Sequence, residues 1–277
     1  MKKLKIFIEY LIVIILTLIT LLYVSINLIT TTVLNKDYIF KKLEETNYYT
    51  ELTTLVASNF KNYINQSGLE ENIFEDIEIK NKVENDTKII INNIYEEKQE
   101  EINTEDLKEI LNKKIENTLG AVTQEYKQSI DEYVKLICNE YKHIISSNFE
   151  IENSLHNMYK KVIKYIEIIK MILVVSFVIF IIILILLCKE KIYKFFVFIG
   201  IVAMSTGTFF IITNTFINLN VKIENILILN NAFSQFVITV LKDILINIMN
   251  YGIILLILGF LITIISNLIN YSKKDKV

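Results

Sequence analysis

The stretch that decides the fold is LLCKEKIYKFF, residues 186–196. VSFVIFIIILILL (175–187) runs into it and VFIGIVAMSTGTFFII (197–212) follows it. Lys189, Lys191 and Lys194 thus interrupt two long apolar runs. Each run approaches the roughly 20 residues that span a hydrocarbon core. The interruption reads as a tight turn between two membrane helices. Short lysine-rich loops stay in the cytoplasm, so the turn also predicts an orientation.

Two more lysine clusters stand at the ends of apolar runs, MKKLK (1–5) and SKKDK (272–276). IFIEYLIVIILTLITLLYVSINLI (6–29) follows the first. That run is longer than the 7–15 residues of a secretory h-region, and no small-residue cleavage site follows it. It reads as an uncleaved anchor, with Glu9 at headgroup level. The second span is expected at about 166–187 and the third at about 193–217. A last apolar segment covers 236–271, which as one helix would be roughly 54 Å long. Its charge-free part, Tyr251–Ile269, is the expected span. Residues 236–250 would then project from the membrane or lie along it. Their apolar face is Phe236, Val237, Val240, Leu241, Ile244, Leu245 and Ile248, opposite Lys242, Asp243 and Asn247. With four spans, all three lysine clusters fall on one side. Residues 34–165 and 218–235 then lie outside.

Composition agrees with this division. The chain is 52% hydrophobic and 22% charged, and its mean hydropathy is +0.41. Between the first two spans the composition is that of a soluble domain. There is no Pro and no Trp, and every basic residue is Lys, a bias that an AT-rich bacterial genome explains. Interfacial anchoring therefore falls to Tyr and Phe. Cys138 and Cys188 fall on opposite sides of the membrane and cannot pair.

Residues 34–165 hold 25 acidic residues against 17 lysines, a net charge of −8, which argues against a nucleic-acid partner. Helices are expected at about 37–66, 70–97, 104–119 and 123–165. Gly68 and Gly120 suit helix ends, and Asn103 or Thr104 suits the cap before Glu105 and Asp106. EEKQEEINTED (96–106) reads as a solvated turn. No calcium-loop spacing supports a metal there. The last helix carries the strongest period in the chain. Ile130, Val134, Ile137, Tyr141 and Ile144 step by 4,3,4,3, and Ile151, Leu155, Met158 and Val162 resume in the same phase. Such a stripe is a coiled-coil-type seam. It serves packing within the chain or pairing with a second copy. The kept phase predicts one long helix entering the second span, with SSNF (146–149) as its one weak point.

No nucleotide, protease or hydrolase motif occurs. His143 and His156 lie 13 residues apart and face different ways. The membrane runs carry only mild polar residues, among them Thr206, Asn214, Thr263 and Ser266. Four glycines are more informative. Gly200 and Gly207 are seven residues apart, as are Gly252 and Gly259. Each pair marks one helical face, with Ala203 on that of the third span. Small residues let membrane helices approach closely, so these faces are predicted to pack together.

One span, a large outer domain and three further spans, with both ends inside, resembles the FtsX-type permeases that couple a cytoplasmic ATPase to cell-wall hydrolases. That resemblance implies an ATPase partner docking between the second and third spans, where CKEKIYK is too short for a coupling helix. NYYTEL (47–52), FKNYINQSGL (60–69) and IIINNIYEE (89–97) are similar to uncharacterised membrane proteins of low-GC Gram-positive bacteria.

The sequence thus predicts an all-α membrane protein with four transmembrane helices and a helical extracytoplasmic domain between the first and second. Residues 1–33 form the anchor, 34–165 the outer domain and 166–277 a three-helix bundle. The expected role is non-enzymatic, without cofactor or metal, in the cell membrane. The outer domain would bind or sense a partner at the cell envelope, rigidly coupled to the bundle. The alternative is a permease-like transporter or channel component with a separate ATPase. Expected partners are the lipid bilayer, an envelope protein and a second copy of the chain.

Overall fold

The computed structural model describes residues 2–67, 77–96, 100–119, 124–147, 152–226, 228 and 231–274. Among them there is no strand. The helices are α1 (Lys2–Thr31), α2 (Lys36–Glu45), α3 (Tyr48–Ser67), α4 (Ile77–Tyr95), α5 (Glu105–Leu119), α6 (Gln124–Ser147), α7 (Glu152–Leu187), α8 (Ile192–Asn220) and α9 (Asn231–Lys274). Four are long and apolar enough to cross a membrane, over Lys3–Thr31, His156–Leu187, Ile192–Asn220 and Asn231–Tyr271. The chain divides into two compact units. One holds 1–35, 162–226 and 240–277, and the other 36–161 and 227–239.

The first unit is built from α1, α8 and the greater parts of α7 and α9. Ile12, Val13 and Leu16 of α1 bury against Leu184 and Cys188 at the end of α7 and against Phe198 and Val202 of α8. The Thr17 and Thr20 hydroxyls donate back to the carbonyls of Val13 and Leu16, which hides them inside α1. Glu9, expected at headgroup level, is packed inside the protein. It is 3% exposed among its own neighbours. Lys170 Nζ donates to Thr30 Oγ1 at 2.8 Å. The second span expected at about 166–187 lies within the apolar stretch His156–Leu187 of α7. The turn between α7 and α8 is closed by the Lys191 N–H on the Cys188 carbonyl at 2.8 Å.

The second unit is a helical domain. Its core joins Leu43, Tyr48, Leu52, Val56 and Phe60 to Val83 and Ile90 of α4, Leu107 and Leu111 of α5, and Val134 and Ile145 of α6. The helix expected at 37–66 is two helices. Asn47 between them has φ 53°, the left-handed region that Asn tolerates better than most residues. The turn lets α2 fold back on α3. At the start of α5 the Asn103 side chain accepts the Glu105 N–H at 2.9 Å, and the Thr104 carbonyl accepts the Lys108 N–H. Asn93 of α4 clamps the connection by exchanging two hydrogen bonds with the backbone of Glu100, at 2.8 and 2.9 Å. Gly68, Gly120 and residues 148–151 lie outside the described residues. The helix expected at 123–165 is described as α6 and α7 on either side of 148–151.

Residues 227–239, within the 166–277 assigned to the bundle but expected outside the membrane up to 235 and projecting from it or lying along it from 236, group with the helical domain. The reason is aromatic. Ala232, Phe233 and Phe236 of α9 join the domain core, and the Phe236 ring stands 6.1 Å from that of Tyr48, edge to face.

Candidate functional site

The most organised site in the chain is the contact between α8 and α9, which run antiparallel. Gly200 meets Gly259, and Gly207 meets Gly252. A Cβ at Gly259 would stand 2.5 Å from the Gly200 carbonyl oxygen, and one at Gly207 equally close to that of Gly252. Both are far inside contact distance and the obstacle is backbone, so only glycine permits this approach. Ala203 lies half-buried on α8 between the two glycine rungs.

Two polar rungs continue the same register outward. Ser266 Oγ donates to the Tyr193 carbonyl at 2.7 Å. At the other end, buried Asn214 Nδ2 donates to the Leu245 carbonyl at 2.5 Å, and Asn218 donates to the Asn214 side-chain oxygen at 2.8 Å. Residues 193, 200, 207 and 214 thus face 266, 259, 252 and 245. Each step of seven along α8 is matched by a step of seven back along α9, the repeat of a left-handed coil. The glycine spacing was legible in the sequence. The polar rungs were not, although one further seven-residue step each way from the glycines reaches them.

The seam also consumes its polar groups. The Thr263 hydroxyl bonds the Gly259 carbonyl and that of Thr206 the Val202 carbonyl, both at 2.9 Å. With Asn214 and Ser266, the buried polar side chains of this contact are satisfied by backbone.

The 4,3 stripe divides in two. Val134, Ile137, Tyr141 and Ile144 are buried in the domain core, with Ile130 packed against it. Ile151 and the Leu155 side chain lie outside the description. Met158 is 60% exposed, Val162 38% and Tyr165 64%. Among the described residues of the α7 half, Met158, Val162 and Tyr165 are therefore exposed. Another face of α7 packs within the chain: His156 Nδ1 is 3.1 Å from the Ile94 carbonyl, and the Tyr159 ring is 4.8 Å from that of Tyr95. His143 is exposed.

A charged network that the sequence reading missed sits in the domain core. Fully buried Asp86 accepts from Tyr141 Oη at 2.7 Å and from Lys82 Nζ at 2.9 Å. Lys82 also donates to the Asn103 carbonyl at 2.6 Å. The signal was Lys82 and Asp86 four apart on one helix, with a tyrosine in the opposing stripe. Burial, then the Asp86 charge and its hydrogen bond, push the Tyr141 hydroxyl far up. Burial and then Glu105 push the Cys138 thiol to about 11, so it is inert at neutral pH. Cys188 is pushed up by burial and Glu9, against the pull of Lys194 and Lys5. Among the described residues, no three His, Cys, Asp or Glu gather as a metal site.

Comparison with family models, with curated proteins and with solved structures finds no match.

Proposed function

We propose that the chain is a non-enzymatic membrane protein whose helical domain lies outside the cytoplasm and binds or senses a cell-envelope partner. Both termini and the Lys189–Lys194 turn would be cytoplasmic, because the three lysine clusters share one side. One observation carries the coupling. α7 and α9 each run unbroken through residues of both compact units, α7 from 152 to 187 and α9 from 231 to 274. A helix without a break transmits displacement along its axis better than a flexible linker does. The α8–α9 seam would then pass the load of α9 to α8.

The permease-like reading is the weaker one. A transport path needs polar groups free to exchange partners with the cargo, and those of the seam are already bonded to backbone. The test is mild crosslinking of the full chain in its native host, followed by affinity purification and mass spectrometry. The expected product joins an envelope protein to exposed lysines of the helical domain, such as Lys113 or Lys135. An ATPase joined to the Lys189–Lys194 turn would replace this reading by the permease-like one. Crosslinks between copies alone would overturn the envelope partner.

A further inference from the structure

A crevice of about 540 Å³ opens between the start of α8 and the end of α9, beside the Ser266–Tyr193 rung. Its wall is apolar, made by Phe196, Ile262, Ile265 and Ile269. Its mouth carries Glu190, Lys191 and Asn270. A volume of this size is that of a ligand site, and its polarity runs from apolar wall to charged rim.

The charge at that end is mostly positive. Lys189, Lys191 and Lys194 lie within six residues, with Glu190 between them, and α1 brings one charge of each sign, Glu9 and Lys5, to the same turn. Lys191 is exposed, and among the described residues no carboxylate pairs with it. It immediately precedes α8, whose N-terminus has no side-chain cap. The free N–H groups of that first turn add to the positive potential. An apolar slot with a cationic rim at the end of a membrane helix complements an amphiphile with a negative head.

We propose that this crevice holds an anionic phospholipid, with its phosphate at Lys191 and an acyl chain along Phe196, Ile262, Ile265 and Ile269. The site does not depend on what the outer domain binds, nor on the orientation of the chain.

The chain has no tryptophan, so one introduced residue reports without background. Phe196→Trp places it in the crevice and Ile269→Trp gives a second reporter should the first fail to fold. Phe209→Trp, on an exposed position of α8 outside the crevice, is the control. The full-length variants are reconstituted in vesicles containing brominated phosphatidylglycerol or brominated phosphatidylcholine, and quenching is measured. At the crevice reporters phosphatidylglycerol should quench at the lower mole fraction, and the two lipids should quench Phe209→Trp alike. Adding Lys191→Gln should weaken the crevice preference about fivefold, the effect of one lysine near a charged headgroup layer. Glu190→Gln should strengthen it. Equal quenching by both lipids in the crevice, the same preference at Phe209→Trp, or indifference to Lys191→Gln would overturn the site.

Discussion

Two tyrosines of the helical domain show how one chemical group takes opposite signs. Tyr141 and Tyr48 are both fully buried. The Tyr141 hydroxyl donates to the Asp86 carboxylate, whereas that of Tyr48 has no hydrogen-bond partner among the described residues. A hydrogen bond to a charged group contributes about 1.5–3 kcal/mol, while an unmade one leaves a desolvation penalty. Tyr141→Phe should therefore destabilise the domain by about 2 kcal/mol, and Tyr48→Phe should be neutral or stabilising. Urea unfolding of the full chain in micelles, followed by circular dichroism, would show it. Equal losses for both would contradict the hydrogen-bond assignment. Alkaline pH acts on the same domain. Cys138 is raised from 9.0 to about 11 and Tyr95 from 10.0 to about 12, both mainly by burial. The folded state holds these protons more tightly than the unfolded chain does. Their stabilisation is complete below about pH 9 and is lost as pH rises through 11–12. The unfolding midpoint should fall over that range, and less steeply in Cys138→Ala.

At the scale of the elements, the α8–α9 seam sets packing against hydrogen bonding. Interhelical hydrogen bonds in membranes average about 0.6 kcal/mol and reach about 1.7. Forcing extra volume into a packed contact costs roughly 1–3 kcal/mol, and here the added methyl would meet backbone. Gly259→Ala and Gly207→Ala should each destabilise the membrane unit more than Asn214→Leu does. Unfolding by a denaturing detergent in mixed micelles ranks the three variants. A Gly259→Ala protein as stable as the parent would mean that the helices do not approach this closely. The glycines were legible because their spacing lies within one helix. Tyr193, Ser266 and Leu245 were not, because in both polar rungs one partner is a backbone carbonyl, which carries no residue signature. The 4,3 stripe shows the converse. Its phase is kept across Asn148 in the sequence, yet α6 buries it while Met158 and Val162 of α7 are exposed, since period alone does not say which neighbour arrives.

At the scale of the whole molecule, the orientation is a prediction of charge alone. Cys188 is a poor probe of it, because the thiol is buried and would resist labelling from either side. In a Cys188→Ala background, Glu190→Cys sits on an exposed turn and should stay unlabelled by an impermeant maleimide in intact cells. Asn225→Cys, exposed in the turn between α8 and α9, should be labelled. The reverse pattern would invert the molecule and place the helical domain in the cytoplasm. The division into units was legible only in outline. A polar stretch between two apolar ones announces a separate domain, but nothing in the local composition of 227–239 assigns it there. Phe233 and Phe236 are as apolar as the membrane segment that follows them, and only the ring of Tyr48 across from them shows where they belong.

By itself the sequence determined the helical class, the four long apolar segments and the glycine faces. These depend on properties that run along one chain: hydropathy over about 20 residues, charge at segment ends, and spacing on a single helix. The tertiary structure alone decided the break at Asn47, the Asp86 network, the register of the α8–α9 rungs and the transfer of 227–239 to the helical domain. Each of those depends on which residues distant in sequence come within a few ångströms, and that choice is made by mutual packing rather than by any local preference.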